Sequence, residues 1–478
     1  MSSSIASEPT SVEATATAYT QLHLRRARSQ PLATSIEQFP TIELTREEQA
    51  HYDRVVGRLL YRAVQEYTSY NANSSQGGKS ANAIDRNAWA LVRSNQNMTI
   101  YKSLKAPSSP RVSLMLGIGK IDGSLEDVMD GVYSDTTEEL RSVMTFLKSK
   151  FIVGTTLNVS EKRTAERPFN FAGVKWFASK TPGGAVSYDR DLLYYERQGV
   201  TFDAQGNEVA YHLMQSLDRP EWPANAFKNL IRSHSSICYL YKRKGNRVET
   251  FFWGEFYDSG RFPQMISDYA IAGKWLSVVN AVKCSEARKL SQLRENVNSR
   301  SSQMSITISD INTCHICEDH RSMFSSQQLC GGCQQNVCRS CSEEKKLFQL
   351  DKTGRPLKDR FCKKCLADVA KQRGSRITWN GVDVARQPPA FFNFAFHLSN
   401  PRPDMDAETT SRMSTLLTTG SAIDTSYLDE VLQTVNQESS GLEDSDWESY
   451  ERRRQSHIET LSNTTYNKEK FLADLYAD

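Results

Sequence analysis

The sequence predicts an α+β protein with two folded parts between disordered ends: a larger domain of helices and strands, then a small cysteine-rich module. Three observations lead to this prediction. A helical segment is followed by a series of extended apolar segments and then by a long amphipathic helix. Eight of the 10 cysteines lie between residues 314 and 365, and both ends of the chain lack apolar periodicity. A length of 478 residues accommodates two or more domains.

The first folded domain, over residues 41–299, begins with a helix. Thr45 followed by Glu48 three positions later is a capping box, in which each residue hydrogen-bonds the backbone of the other. Apolar residues then recur at helical spacing as far as Tyr67. Residues 71–79 are polar and contain Gly and Ser, so they predict a linker.

Extended segments dominate the middle of this domain. Ser124, with Asp127 three residues later, starts a short helix, and a second helix follows over residues 137–147. The other apolar segments are short and bounded by turn residues, which indicates strands. We predict strands over residues 91–92, 98–101, 112–121, 174–178, 185–197, 208–216, 236–242 and 247–257.

The domain ends with a long amphipathic helix over about residues 262–295. Its apolar stripe comprises Met265, Tyr269, Ala272, Leu276 and Val279. Antiparallel strands that wrap around a long C-terminal helix form a helix-grip fold. Two cysteines of this domain, Cys238 and Cys284, lie in apolar segments and are interpreted as buried thiols.

The cysteine-rich module contains four Cys-x2-Cys pairs separated by 12, 4 and 20 residues. Two thiolates on one tight turn can face the same ion, and two such turns complete the closed all-cysteine shell of structural zinc. Four pairs therefore predict two zinc ions. Because only four residues separate the second and third pairs, we predict a cross-braced arrangement. Its ligands are Cys314, Cys317, Cys338 and Cys341 for one ion and Cys330, Cys333, Cys362 and Cys365 for the other.

Other readings of the cysteines remain open. Disulfides would need a secretory route, and the N-terminal Met1-Ser2-Ser3-Ser4 lacks the charged and apolar regions of a signal peptide. Buried free cysteines are a further alternative. His315 and His320 lie inside the module and could replace a cysteine as ligand, but eight correctly spaced cysteines favour four-thiolate sites.

The cysteine spacing resembles that of the FYVE zinc finger, here over residues 305–370. The resemblance implies recognition of phosphatidylinositol 3-phosphate on endosomal membranes. Arg360-Phe361-Cys362 stands at the place of the family's Arg-Val-Cys motif, which makes Arg360 a lipid-binding candidate. The family's basic run is replaced by Ser326-Gln327-Gln328-Leu329, and residues 305–310 contain no tryptophan. A phosphate group is bound best by charge-assisted hydrogen bonds, which neutral side chains do not supply.

The loop before that replaced run carries Met323-Phe324, at the place where FYVE domains insert a hydrophobic turret into the bilayer. The resemblance therefore implies that Met323 and Phe324 contact lipid, since exposed apolar side chains suit the membrane interface. The alternative is that both residues pack locally over the zinc sites.

The order helix, strands, two helices, strands, long helix is similar to that of START-like domains. Residues 89–94 and 123–129 also resemble segments of the START-like domains that are joined to FYVE fingers in a family expanded in oomycetes. This resemblance implies a cavity that holds one apolar lipid. Strand alternation would direct about half of the available aromatic residues inward. The aromatic residues available to line it are Trp176, Phe177, Tyr194, Tyr211, Phe252, Trp253 and Phe256. Packing in the core is the alternative for each of them, so none is assigned as a site residue.

Both ends of the chain are predicted to be disordered. Residues 1–40 are rich in Ser, Thr and Ala, and residues 374–478 form an acidic, serine-containing tail. Two marginal helices in the tail, residues 425–435 and 447–461, are candidate partner-binding segments.

Whole-chain properties exclude some functional classes. The net charge of +3 is small for this length and does not indicate a nucleic-acid binder. No apolar run approaches the roughly 20 residues that span a bilayer. We expect a cytoplasmic protein that binds endosomal membranes peripherally.

The sequence shows no catalytic motif, and closed four-thiolate sites leave no position for substrate, so we predict no enzymatic activity. The first hypothesis is a lipid-binding adaptor that holds a lipid in its START-like domain and contacts phosphoinositide-containing or anionic membranes through its finger. The alternative is a finger that binds proteins, either as a Rab effector or as a RING-like ubiquitin ligase. A RING would place histidine where Cys333 or Cys338 stands.

Overall fold

The structure, a computed structural model, confirms the predicted α+β class. An antiparallel sheet packed with helices is followed by a small module with two clusters of four cysteines. The predicted disordered segments, residues 1–40 and 374–478, lie outside the described residues. The structure describes residues 41–76, 84–95, 97–105, 111–147, 150–181, 188–224, 227, 230–258, 264–301, 313–319 and 328–372.

The first two helices begin at the predicted caps, Thr45 and Ser124. The Thr45 hydroxyl accepts a hydrogen bond from the Glu48 backbone N–H (3.1 Å), and the Glu48 carboxylate accepts one from the Thr45 N–H (2.9 Å). At the next two helices, the Ser124 and Thr136 hydroxyls accept hydrogen bonds from the backbone N–H groups of Asp127 and Glu139. The helices of the described residues are α1 (Arg46–Gln76), α2 (Leu125–Val132), α3 (Thr137–Phe146), α4 (Gln264–Leu276), α5 (Ala281–Ser301) and α6 (Lys363–Lys371).

In the described residues the first nine strands form one sheet in the order β1-β2-β3-β9-β8-β7-β6-β5-β4. Neighbours are antiparallel, apart from a short parallel pairing between the starts of β6 and β8. These strands are β1 (Trp89–Asn95), β2 (Met98–Ser103), β3 (Val112–Asp122), β4 (Phe151–Glu161), β5 (Phe171–Ser179), β6 (Asp189–Phe202), β7 (Glu208–Ser216), β8 (Leu230–Lys244) and β9 (Arg247–Asp258).

Both faces of the sheet are covered, because side chains alternate between the faces along each strand. On one face α1 packs Val56 and Leu60 against a core that includes Trp176, Tyr195 and Trp253. On the other face, residues of α2 and α4 pack in a second core. The Phe252 ring meets the Trp275 ring edge-on there, with centroids 5.2 Å apart. The sheet and its C-terminal helix thus form the expected START-like helix-grip.

The cysteine-rich module adds two short hairpins and a helix. Its core contains Leu290 of α5 together with Cys330, Leu347 and Phe361. Helix α5 therefore belongs to both folded parts. The strands are β10 (Gln328–Leu329), β11 (Asn336–Val337), β12 (Ser342–Leu350) and β13 (Pro356–Cys362), with α6 at the end.

The first helix is longer than the sequence predicted. It continues through Gln76, so the predicted linker is wrong for residues 71–76. Tertiary contacts supply the reason. The Tyr67 hydroxyl donates to the Glu249 carboxylate (2.7 Å), and the Tyr67 ring packs on Phe251. These contacts hold the last turns against the sheet, although their own composition is polar.

The predicted single C-terminal helix is also corrected. A 3-10 turn at Ser277–Asn280 separates α4 from α5. The Ser277 hydroxyl donates to the Lys274 carbonyl (2.6 Å), an alternative to regular helical bonding. Met265, predicted on the apolar stripe, is 78% exposed, whereas Leu276 is buried.

Strand β4 was not predicted from the sequence. Its pairing with β5 is irregular between Phe151 and Val153, between Thr156 and Asn158, and again near Glu161. Each bulge shifts the alternation of inward and outward side chains by one residue. The period-2 pattern that identifies a strand is therefore absent from the sequence.

A buried charge network joins α2 and α5. The Asp130 carboxylate accepts one hydrogen bond from Arg163 Nη1 (2.8 Å) and another from the Ser285 hydroxyl (2.8 Å). Arg288 lies 3.9 Å from the same carboxylate and donates to the Tyr133 carbonyl (2.7 Å). Burial raises the pKa of Asp130, but the charges of Arg288 and Arg163 lower it further, so the net shift is downward. Asp130 is therefore ionised and serves two guanidinium groups.

We expect Asp130→Ala to lower the free energy of unfolding by about 3–5 kcal/mol, because the buried Arg163 guanidinium loses its ion-pair partner, whereas Arg288 keeps its ion pair with Glu139. Asp122→Ala is the control, since Asp122 pairs with Arg247 at 2.7 Å but both side chains are more than half exposed. Loss of that pair should cost at most about 1 kcal/mol. Urea denaturation of the full chain measures both values, and equal losses in the two variants would contradict the role of Asp130.

Candidate functional site

The structure brings the eight predicted zinc ligands together in two groups of four. One group is formed by the first and third Cys-x2-Cys pairs, and the other by the second and fourth. In each group the four sulfur atoms lie within 4.8 Å of one another. The cross-braced arrangement is therefore confirmed. The groups are Cys314, Cys317, Cys338 and Cys341, and Cys330, Cys333, Cys362 and Cys365.

Two of the cysteine pairs lie on turns of the same geometry. In the first turn the Glu318 N–H donates to the Cys314 carbonyl (2.8 Å), and the Cys314 N–H donates to the Asp319 carbonyl (3.0 Å). In the turn that starts at Cys330, the Gln334 N–H donates to the Cys330 carbonyl (2.8 Å), and the Cys330 N–H donates to the Gln335 carbonyl (2.9 Å). The residue after the second cysteine has a positive φ in each case, 59° at Glu318 and 57° at Gln334. This local geometry points both thiols of a pair toward one centre.

The sulfur positions fit zinc. A tetrahedral site with Zn–S bonds of about 2.3 Å has sulfur–sulfur distances of about 3.8 Å. The Sγ atoms of Cys317 and Cys338 are 3.7 Å apart, and those of Cys333 and Cys362 are 4.0 Å apart. The Cys330 sulfur also accepts hydrogen bonds from the backbone N–H groups of Gly332 (3.4 Å) and Cys362 (3.2 Å). Such bonds stabilise a metal-bound thiolate.

His315 takes a supporting position between the two centres. Its Nε2 lies 3.7 Å from the Cys333 sulfur, while its own backbone belongs to the turn of the other centre. Each group already has four cysteines, so His315 acts as a hydrogen-bonding neighbour. His320, the other alternative ligand, lies outside the described residues.

The proposed lipid contacts of the module are only partly described. Met323 and Phe324 lie outside the described residues, so their membrane contact stays a prediction. Arg360 lies on β13, half-buried, and its Nη1 donates to the Ser342 hydroxyl (3.3 Å). Glu344 is its partner in the β12–β13 register. The lipid-binding role of Arg360 also stays a prediction.

Acidic neighbours offset several of the basic side chains around Arg360. Lys345 pairs with Glu286 at 3.2 Å and with Glu343 at 3.3 Å. Lys358 pairs with Glu344 at 2.8 Å. The pairs are exposed or half-exposed and contribute little to stability. They do reduce the positive field of this surface.

A cavity lies between the sheet and the helices α3 and α4. Its volume is about 140 Å³, counted as space open to the centre of a water molecule. One water needs about 10–15 Å³ by this measure, so the cavity has room for a larger ligand. Its apolar wall includes Leu140, Val143, Phe177, Leu192, Met214 and Ile237.

Among the aromatic candidates, alternation along the strands decides which reach the cavity. Phe177, Tyr194 and Phe256 line it. Trp176, Tyr211 and Trp253 belong to the core on the α1 face, and Phe252 packs in the core on the other face. The prediction that about half of them point inward is confirmed.

The cavity wall also contains charged residues that were not predicted from the sequence. Glu196 lies 2.9 Å from the Lys175 ammonium and 3.2 Å from His212 Nε2. Burial raises the pKa of Glu196, but Lys175 and His212 lower it to about 2. Burial lowers the pKa of Lys175, and Glu196 opposes this. The sequence pattern that could have identified such residues is a charged residue between two apolar residues, as at Lys175 between Val174 and Trp176.

No helix within the described residues has both the length and the apolar character needed to span a membrane.

No protein-family model matches the sequence, and no curated protein matches it. Three human structures are among the solved structures that are similar. The lipid transfer and protein localization domain of StarD13 aligns at 12% identity with a TM-score of 0.32, covering 46% of this chain and 96% of that one. StAR-related lipid transfer protein 5 aligns at 14% identity with a TM-score of 0.32, covering 48% of this chain and 97% of that one. STARD10 aligns at 14% identity with a TM-score of 0.31, covering 48% of this chain and 88% of that one.

We expect Cys330→Ser to release zinc from its centre and to unfold the module, because the binding energy of structural zinc is also folding energy. Metal analysis of the purified full chain should give two zinc ions for the native protein and fewer for the variant. Cys238→Ala is the control, since Cys238 is buried in the sheet core away from both centres. A Cys330→Ser protein that retains two zinc ions would contradict this assignment.

Proposed function

We propose that this protein is a zinc-containing lipid-binding adaptor that acts by binding rather than by catalysis. The START-like domain holds one apolar ligand, and the cysteine-rich module is a FYVE-like finger that contacts phosphoinositide-containing or anionic membranes. The cavity between the sheet and α4 is the observation that supports the proposal most directly. A predominantly apolar cavity with a few polar groups is typical of a ligand site.

The two zinc centres have a structural role in this proposal. Each has four cysteines, and a closed four-thiolate shell provides no open position for a substrate. Zinc instead fixes the hairpins that carry Arg360 and holds them on α5, whose Leu290 lies in the core of the finger.

Membrane contact is proposed for three residues of the finger, Arg360, Met323 and Phe324. A guanidinium group can bind a phosphate through two parallel hydrogen bonds. Exposed apolar side chains such as Met323 and Phe324 would enter the interface between headgroups and acyl chains. Phosphatidylinositol 3-phosphate is the lipid that the FYVE resemblance favours, which would place the protein on the cytoplasmic side of endosomes.

A protein-binding finger is the second candidate. Glu344 opposite Arg360 and the acidic partners of Lys345 support it, because they leave less positive charge for an anionic membrane. A Rab-effector or a RING-like finger would bind its partner without phosphoinositide specificity.

We expect Met214→Trp to weaken ligand binding by about tenfold or more, because the indole would occupy cavity space that the ligand needs. Met214 lies on the cavity wall, whereas Met265 is exposed on α4, so Met265→Trp is the control. Titration of the full chain with a fluorescent sterol and a fluorescent phosphatidylcholine measures the effect. Equal binding by both variants and the native protein would rule out this cavity as the site for those probes.

We expect Arg360→Ala to reduce co-sedimentation of the zinc-loaded full chain with vesicles containing phosphatidylinositol 3-phosphate by about threefold or more, since one charge near an anionic surface contributes about 1 kcal/mol. Arg355→Ala removes an equal charge from the β12–β13 turn and is the control. Neutral vesicles and vesicles with generic anionic lipid test lipid specificity. If the native chain binds none of the vesicles, membrane contact fails and the protein-binding candidate is favoured.

A further inference from the structure

One end of the cavity is polar. It lies where β5 ends and where β6 and β8 begin. Ser179 of β5 lies opposite Arg190 of β6, and Arg190 lies opposite Ile231 of β8. Ser233 follows Ile231 by two residues on β8. Helix α4 contributes Lys274, whose ammonium donates to the Ser179 hydroxyl (2.6 Å). Register and contact together place these groups at the same end of the cavity.

Most charged groups on the cavity wall have a partner of opposite charge. In each pair the nitrogen and oxygen atoms are 2.8–2.9 Å apart, which leaves no net charge on the pair. The pairs are Arg190 with Asp258, Asp191 with Arg232, and Glu196 with Lys175.

Lys274 differs from these groups. Its hydrogen-bond partner is the neutral hydroxyl of Ser179, and no carboxylate of the described residues forms an ion pair with it. An ammonium group removed from water without a counter-charge is energetically unfavourable. The cavity wall therefore carries one positive charge that is not neutralised by direct contact.

Two hydroxyl groups nearby are also without partners in the described residues. Ser233 and Ser235 lie on the cavity-facing side of β8, with 5% and 6% of their surfaces exposed. Neither hydroxyl oxygen has a hydrogen-bond partner in the part of the chain that the structure describes. Buried hydroxyls are nearly always hydrogen-bonded in native proteins, so these two indicate a polar group supplied from within the cavity.

We propose that the cavity binds a single-chain acidic lipid whose carboxylate pairs with the Lys274 ammonium and accepts hydrogen bonds from Ser233 and Ser235. This inference rests on the proposed function of the cavity as a lipid site. The hydrocarbon chain would extend along Leu192, Met214 and Ile237, away from the polar end.

The charge balance favours a carboxylate over a phosphate. A carboxylate carries one negative charge and neutralises the single unpaired ammonium. A phosphate monoester carries about 1.5 to 2 negative charges at neutral pH, so part of its charge would remain buried without a partner. The adjacent Arg190 is already held by Asp258 (2.8 Å) and does not supply the missing charge.

The binding should depend on pH. Burial lowers the pKa of Lys274 to about 8, with Arg190 and Lys150 lowering it as well and Asp258 and Asp189 raising it. A carboxylate, with an ordinary pKa of about 4 to 5, stays ionised throughout this range. Its affinity should therefore be constant near neutral pH and fall by up to about tenfold per unit as the pH rises above about 8.

The test compares oleate with oleyl alcohol, which has the same chain but no charge, by calorimetric titration of the zinc-loaded full chain at submicellar concentration. We expect the native protein to prefer oleate by roughly tenfold or more. Lys274→Met should remove this preference and its pH dependence while alcohol binding remains. Lys283→Met, an equal substitution at an exposed position of α5, is the control and should retain both.

The outcomes separate this inference from the function on which it rests. Binding of the alcohol without a preference for oleate, or an oleate preference that survives Lys274→Met, would overturn the inference and leave the lipid site in place. Failure of the native protein to bind either ligand would overturn the inference, and failure to bind the sterol and the phosphatidylcholine as well would overturn the proposed lipid site. Tighter binding of oleoyl lysophosphatidate than of oleate would overturn the carboxylate assignment.

Discussion

Helix α5 is the element on which both folded parts depend, because its buried side chains belong to two cores at once. Ser285 and Arg288 bind the Asp130 network of the START-like domain. One turn further, Leu290 enters the core of the finger, and the Ser291 hydroxyl accepts a hydrogen bond from the Phe348 N–H (2.8 Å). A rigid helix with both sets of contacts fixes the finger on the START-like domain.

The same contacts bring the zinc-containing finger close to the cavity. Helix α3 lines the cavity with Leu140 and Val143, and its Phe146 ring stacks on Phe348 of β12 at 6.4 Å. The Arg288 guanidinium carbon lies 4.1 Å from the centre of the Phe348 ring. Helix α3 therefore contacts both the cavity and the finger.

Much of the candidate site could be predicted from the sequence, because its chemistry depends on local spacing. The pairing of cysteines into two centres and the caps at Thr45 and Ser124 follow from short-range geometry. For the aromatic residues, the sequence predicted the inward fraction but not which residues line the cavity. The charged residues of the cavity could not be predicted in this way. Glu196 and Lys175 are close only because β5 and β6 pair in one register.

The sequence by itself determined the class of the protein, the zinc ligands and their pairing, because a Cys-x2-Cys turn positions both thiols whatever surrounds it. The tertiary structure decided the length of α1, the break before α5 and the identity of the cavity wall. It also decided that Lys274 has no counter-charge within 4.0 Å among the described residues, although Asp258 and Asp189 influence its pKa. These properties depend on which side chains meet across the sheet, and a burial cost or an ion pair exists only once distant segments are in contact.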